Sequence, residues 1–274
     1  LGGLGVTTLG GAAVAGTYRF QVNRHARAVI GLTAPVRVAQ LSDLHFGPYI
    51  RAASVRAWVD AALRARPDLI VITGDFVDSE LEGEVTPLLS ELARLRAPLG
   101  VFGVWGNHDY GSFGAYARRF RARGGGTWLA HRAAFEARLA EAGVRVLTNA
   151  GAQVRGDLFL AGVDDLWWGE PSLEKALRGA RGATLLLSHN PDFLPEVPEH
   201  VALTLCGHTH GGQVRLPFVG ALTTSSKYGD RFARGWVNGP AQGFVSRGLG
   251  VSLLPVRLNC APEVVVLDLQ PRPA

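Results

Sequence analysis

The chain has 274 residues, 47% hydrophobic and 19% charged, enough apolar material to close one large core and a composition that excludes a disordered chain. Its net charge of +5 suits an anionic partner, yet the positive charge is scattered arginine, with lysine only at Lys175 and Lys227, so no nucleic-acid stripe is expected. The two cysteines, Cys206 and Cys260, are far apart in sequence and read as two buried thiols rather than a disulfide.

Leu1 to Tyr18 carries no charge and is built mainly from Leu, Val, Ala, Gly and Thr, the pattern of an export signal or membrane anchor, with a small-x-small cleavage motif at Ala13-Val14-Ala15. Residues 19–35 are mixed in character, end in Pro35 and read as a connector. The main domain is expected over 36–270, with a short tail at 271–274.

Within that domain the elements alternate. Val36 to Leu41 has strand alternation and delivers Asp43-Leu44-His45 into a loop closed by Gly47-Pro48. A helix follows over Ala53 to Arg66, then the apolar run Leu69 to Ile72, of the sort buried on both faces of a sheet, which ends at Gly74-Asp75-Phe76-Val77-Asp78. A helix at Pro87 to Arg96 leads to a strand at Gly100 to Trp105 and then Gly106-Asn107-His108-Asp109. Further on, a helix at His131 to Ala142 and short strands at Val144 to Leu147 and Leu158 to Val163 precede a helix at Leu173 to Leu177. The strand Ala183 to Leu187 ends in Ser188-His189-Asn190, and Leu203 to Cys206 runs into Gly207-His208-Thr209-His210. Gly243 to Val251 and Glu263 to Leu269 read as closing strands.

Five apolar strands thus end in Asp, His or Asn. In α/β sheets ligands gather beyond the carboxyl ends of strands, so these residues are expected to converge although they are spread widely along the chain. The set supplies oxygen and imidazole donors suited to Mn, Fe, Zn or Mg and unsuited to soft thiolate chemistry. It is too large for one ion. Two divalent ions about 3.5–4 Å apart need a carboxylate between them, and Asp75, set behind the permissive Gly74, is the natural bridge.

The ordered blocks D-x-H, G-D-x-x-D, G-N-H-D, H and G-H-x-H resemble the calcineurin-like metallophosphoesterases over about Val36 to Leu269. Leu41-Ser42-Asp43-Leu44-His45, Gly207 to Gln213 and Ser246-Arg247-Gly248-Leu249-Gly250 further resemble the bacterial YkuE/YaeI-like phosphodiesterase group; that group's Pro-Pro-Glu stands here as Ala261-Pro262-Glu263. The resemblance implies an α/β fold, a two-sheet β-sandwich flanked by helices in four αββα layers. It implies one metal on Asp43, His45, Asp75 and His210 and a second on Asp75, Asn107, His189 and His208, with manganese favoured. His108 would protonate the leaving oxygen or stabilise its charge, and Asp109 would orient His108. The implied activity is hydrolysis of a phosphodiester or pyrophosphate by metal-bound hydroxide, on a small phosphate ester or a phospholipid. The alternatives are a phosphomonoesterase, a UDP-diacylglucosamine pyrophosphatase-like lipid enzyme, and a metal-binding scaffold without turnover. Relatives of that group imply export by the twin-arginine route or attachment at the membrane. A monomer is expected.

Asp78 reads as a hydrogen-bond acceptor behind the ligands, and His131 and His200 as surface histidines. Trp167-Trp168 follow Asp164-Asp165 at a strand end and either wall a substrate pocket or simply pack. Between Gly111 and Arg132, Phe113, Tyr116, Ala117 and Phe120 fall at helical spacing with Arg118, Arg119, Arg121 and Arg123 on the other faces, a basic amphipathic segment suited to a phosphate or an anionic membrane surface.

Overall fold

The computed structural model describes residues 13–78, 85–110 and 125–272, the backbone alone for 125–130. Two six-stranded sheets face each other. The first has the order β1 (Gln21–Val29), β14 (Glu263–Pro271), β2 (Val36–Leu41), β3 (Leu69–Ile72), β4 (Val101–Gly103), β5 (Arg145–Val146). The second has the order β12 (Gly235–Asn238), β13 (Gln242–Val245), β9 (Leu203–Cys206), β8 (Ala183–Leu187), β7 (Leu158–Gly162), β6 (Ala150–Arg155). A small antiparallel ribbon, β10 (Arg215–Leu216) with β11 (Gly220–Ala221), stands apart from both. The helices are α1 (Ala52–Arg64), α2 (Thr86–Leu92), α3 (Gly125–Glu141) and α4 (Leu173–Ala176).

The layers follow from the two-residue period of the strands. In β2, Val36 and Val38 enter the core between the sheets while Ala39 and Leu41 enter the core under the helices; in β3, Leu69 and Val71 divide from Ile70 and Ile72 in the same way. The second sheet repeats this, with Leu185 and Leu187 facing the first sheet and Leu186 packed outward beside Phe193 and Ala176. An unbroken apolar run is therefore the expected sequence for a strand covered on both faces, and burying side chains such as these contributes about 1.5–3 kcal/mol each. The result is the four-layer αββα sandwich.

The stretch read as a connector over 19–35 contains β1, which pairs in parallel with β14 from Gln21–Glu263 to Val29–Pro271. It is an edge strand, and most of its side chains meet water, so Asn23, Arg24, His25 and Arg27 hide the alternation that marks a buried strand. The edge strands β6 and β12 escape the sequence reading for the same reason.

Of the apolar segment 1–18, residues 13–17 are helical and lie against the domain: Thr17 is buried, and the Arg257 N–H donates to the Ala13 carbonyl at 3.0 Å. Among the described residues no helix is long and apolar enough to cross a membrane. Residues 113–123 of the basic amphipathic segment fall outside the described residues. Cys206 and Cys260 are buried free thiols.

Candidate metal centre

Strands β2, β3 and β4 are parallel neighbours in the first sheet, and β8 and β9 are parallel neighbours in the second. Their carboxyl ends meet across the sandwich. Gln40, fully buried, donates from Nε2 to Thr73 Oγ1 at 3.0 Å and to the Cys206 carbonyl at 2.9 Å, tying the ends of β2, β3 and β9 together. The loops beyond these ends carry Asp43, His45, Asp75, Asn107, His108, His189, His208 and His210, every one of them buried.

Their backbone is unusual. Asp43, His45, Asp75, His208 and His210 all have φ between 45 and 73°, a region that costs a non-glycine residue energy and is held only where surroundings enforce it. The enforcement is visible: His208 N–H donates to Asp43 Oδ1 at 2.8 Å, His108 N–H to Asp75 Oδ1 at 2.8 Å, and Asp43 N–H to the Gly74 carbonyl at 3.0 Å. Gly106 is required by contact rather than by flexibility, since a Cβ there would lie 2.2 Å from Asp75 Oδ1.

Two groups of donors share Asp75. Its Oδ2 lies 3.3 Å from His45 Nε2 and 3.3 Å from His189 Nε2. On the first side, His210 Nε2 is 2.9 Å from His45 Nε2 and 3.5 Å from Asp43 Oδ1, and one ligand atom from each of Asp43, His45, Asp75 and His210 falls within a 4.8 Å cluster. On the second side, Asn107 Oδ1 sits 3.0 Å from His189 Nε2 and 2.8 Å from His208 Nδ1, while His208 Nδ1 and His189 Nε2 are 3.2 Å apart. The seven residues expected as ligands are thus brought close to one another around Asp75.

Electrostatics fit cations at both places. Burial favours neutral His45 and His189, but Asp75 with Asp78 for the one, and Asp75 with Asp43 for the other, raises their pKa to about 9 and about 10. Burial and the charge of His189 lower His208 to about 3, and burial and the charge of His45 hold His210 well below the ordinary imidazole value. The carboxylates of Asp43, Asp75 and Asp78 thus place negative charge against both groups, which suits a cation at each. Four imidazoles, an amide oxygen and two carboxylates form a donor set that fits divalent ions.

His108 lines the cavity over the centre, and its Nδ1 points at the Asp78 carbonyl and lies 3.5 Å from Asp78 Oδ1. Asp78 Oδ1 is also 3.3 Å from His45 Nδ1, so this carboxylate stands behind both rings. Asp109 does not take the position expected of it. Its Oδ1 accepts from the N–H groups of Phe76 and Val77 at 2.8 and 3.2 Å and its Oδ2 from the N–H of Gly106 at 2.9 Å, so it clamps the Asp75 loop to the Asn107 loop while Asp78 is the carboxylate beside His108. Burial and the charge of Asp75 push the Asp109 carboxyl up to about 8, against the pull of the Gly106 and Val77 N–H groups.

Arg257 escapes the sequence reading. It is buried and donates from Nε and Nη2 to the Gly250 carbonyl at 3.1 and 2.6 Å, with Nη2 3.2 Å from His210 Nδ1, so it holds the outer side of that ring. Nothing in the surrounding Pro255-Val256-Arg257-Leu258 marks it; only the fold turns it inward. The cavity above the centre, about 410 Å³, has Trp167 and Trp168 in its wall, and the Trp167 ring meets the His208 ring edge-on at 4.3 Å between centroids.

The calcineurin-like phosphoesterase family model matches residues 36–212, the span that holds every one of these donors. The chain belongs to that family. It is 32% identical to an uncharacterised metallophosphoesterase, YkuE, of Bacillus subtilis over 85% of this chain and 79% of that protein. The phosphodiesterase YaeI of Escherichia coli is 31% identical over 91% of this chain and 88% of its own length. Among solved structures, a 5'-nucleotidase precursor from Thermus thermophilus matches at TM-score 0.47 and 13% identity, over 85% of this chain and 55% of that one. As a calcineurin-like phosphoesterase the protein is a metal-dependent hydrolase of phosphate esters.

Proposed function

We propose that this phosphoesterase holds two divalent ions, bridged by Asp75, and hydrolyses phosphodiester or pyrophosphate bonds. The observation that carries the reading is the place of Asp75 Oδ2, 3.3 Å from a histidine of each donor group. Asp43, His45 and His210 would complete one ion's ligands, and Asn107, His189 and His208 the other's. Such a pair, when bound, supplies Lewis acidity toward a phosphoryl group and acidifies water.

The chain's own residues do the rest. His108 Nδ1 is engaged at Asp78, which leaves Nε2 as the ring atom that would deliver a proton to the leaving group. In hydrolysis a water oxygen forms the new bond to phosphorus and releases one proton to solvent, the bond from phosphorus to the leaving oxygen breaks, that oxygen takes a proton from His108, and His108 regains one from solvent. Trp167, Trp168 and the apolar wall exclude bulk water and leave room for a second substituent on the phosphate, which favours a diester or pyrophosphate over a simple monoester. The likeness to a protein named a phosphodiesterase supports the same choice. We also place the protein at or outside the cytoplasmic membrane, on the apolar, uncharged run from Leu1 to Tyr18.

The test is a panel of phosphomonoesters, diesters and nucleotide-sugar pyrophosphates assayed with Mn, Mg, Zn and Fe, together with metal analysis. Two ions per chain and turnover of diesters or pyrophosphates are expected. One ion per chain, or turnover confined to monoesters, would overturn the reading.

A further inference from the structure

A histidine that binds a metal through one ring nitrogen is oriented by what its other nitrogen meets. In the second donor group the two histidines differ in this respect. His189 offers Nε2, and its Nδ1 lies 2.8 Å from the Thr73 carbonyl at the end of β3, where the Thr73 N–H donates to the Leu41 carbonyl and fixes the backbone. His208 offers Nδ1 instead, and its Nε2 lies 3.2 Å from the Ser225 carbonyl. Ser225 belongs to residues 222–234, which join β11 to β12 and lie outside any strand. Its φ is 54°, a value that a non-glycine residue keeps only under constraint.

The constraint is Asp192, a buried carboxylate beyond the carboxyl end of β8. Its Oδ1 accepts the Ser226 hydroxyl and its Oδ2 the Lys227 N–H at 2.9 Å, so it grips the two residues that follow Ser225. Ser226 Oγ in turn accepts the Tyr228 N–H at 3.1 Å. Asp192 is itself fixed from the side of His189, its N–H donating to Asn190 Oδ1 at 2.9 Å. A carbonyl oxygen only accepts, so His208 Nε2 carries the proton and Nδ1 keeps its lone pair toward Asn107 Oδ1, 2.8 Å away. Both atoms are then acceptors, close together as two ligands of one cation would be. The first group is steadied elsewhere: Asp78 stands behind His45 and Arg257 behind His210.

We propose that Asp192 is a positioning residue for the second metal position alone: through Ser226 and Lys227 it holds the Ser225 carbonyl on His208 Nε2, and so fixes the tautomer and direction of that ring. The inference rests on the two-ion reading above.

The experiment titrates the metal-free full chain with Mn(II), beside Asp192→Ala, Asp192→Asn and Ser226→Ala, following binding by calorimetry and by electron paramagnetic resonance. Asp192→Ala is expected to bind one ion as the parent does and the other about 10- to 100-fold more weakly, so that the signal of coupled Mn pairs gives way to that of isolated Mn(II). Asparagine can keep its oxygen on the Lys227 N–H and donate from Nδ2 to Ser226 Oγ, so Asp192→Asn should bind both ions within about twofold of the parent. Ser226→Ala removes one hydrogen bond at a half-buried side chain and should weaken the second ion by about 2- to 10-fold, which keeps the test open if the alanine variant at 192 does not fold. Without metal, imidazole nitrogen NMR should find His208 in its Nε2–H form in the parent and in a mixture of both forms in Asp192→Ala. Both ions held by Asp192→Ala at parent affinity, both weakened alike, an unchanged His208 tautomer, or an asparagine variant as weak as the alanine one overturns the inference. A parent saturated by a single Mn overturns the two-ion reading and this inference with it, a failure told apart from the others because it needs no variant.

Discussion

Asp109→Asn separates two accounts of a buried carboxylate. If Asp109 orients His108, the amide should lower turnover and leave stability and metal binding alone. The geometry says otherwise, because its two oxygens accept three backbone N–H groups, from Phe76, Val77 and Gly106. Asparagine has one acceptor oxygen. With that oxygen kept on Phe76 and Val77, its Nδ2 would face the Gly106 N–H, donor against donor, in a site with no access to water. Losing one hydrogen bond to a largely protonated carboxyl costs about 0.5–1.5 kcal/mol, and leaving a buried N–H unsatisfied about 1–3 kcal/mol more, so a total of about 1.5–4.5 kcal/mol is expected. At about 2–4 °C per kcal/mol for a domain of this size, Tm should fall by roughly 3–18 °C. Because the clamp joins the loops that carry Asp75 and Asn107, affinity for metal should fall with it. The measurement is thermal unfolding by circular dichroism with and without chelator, beside metal titration and kcat/KM. A variant with unchanged Tm and full metal content but low kcat would refute the clamp and restore the orienting role.

The apolar strands were legible because a strand covered on both faces leaves a run such as Leu69-Ile70-Val71-Ile72 that little else produces. The candidate ligands were legible because each sits at the carboxyl end of such a run, where the parallel order carries it to one edge. What the sequence hid has a common cause: residues whose role is set by a neighbour distant in the chain. Strand β1 is recognised by β14, some 240 residues away, and its own side chains face water. The family resemblance assigned Asp109 to orient His108, but the turn after β4 points its carboxylate back at the Asp75 loop. Arg257 becomes a support for His210 only when the chain folds back beneath the ribbon. Trp167 and Trp168 were visible as a pair, yet whether they packed or lined a pocket depended on where β7 ends relative to β9.

Asp75→Asn should empty both metal positions together, since a neutral side chain at 1% exposure cannot offset two dications; two ions retained at full occupancy would defeat the bridge. His108→Ala should keep the metals and lose about 10²–10⁴-fold in kcat on a diester with a poor leaving group, with little loss on an activated one. Unchanged kcat on the poor leaving group would remove the proton-donor role. The last prediction is a pH dependence away from the centre. Arg155, above all, and the Thr33 N–H and hydroxyl hold the Asp157 carboxyl well below the usual carboxylate range. A carboxyl whose folded pKa is depressed contributes stability that is complete above its unfolded pKa, about 3.9, and is lost as pH falls through the folded value. Asp157→Asn should therefore be less stable than the parent at pH 7 and by the same margin down to about pH 5. Below about pH 4 the margin should begin to close, because the unfolded parent then takes up a proton that the folded parent does not, and it closes fully only near the folded value. Urea unfolding of both proteins at matched pH reads the difference, and acid loss of metal, common to both, cancels. A margin that stays constant into acid would show that the contacts at Asp157 work as neutral hydrogen bonds and that its charge contributes nothing.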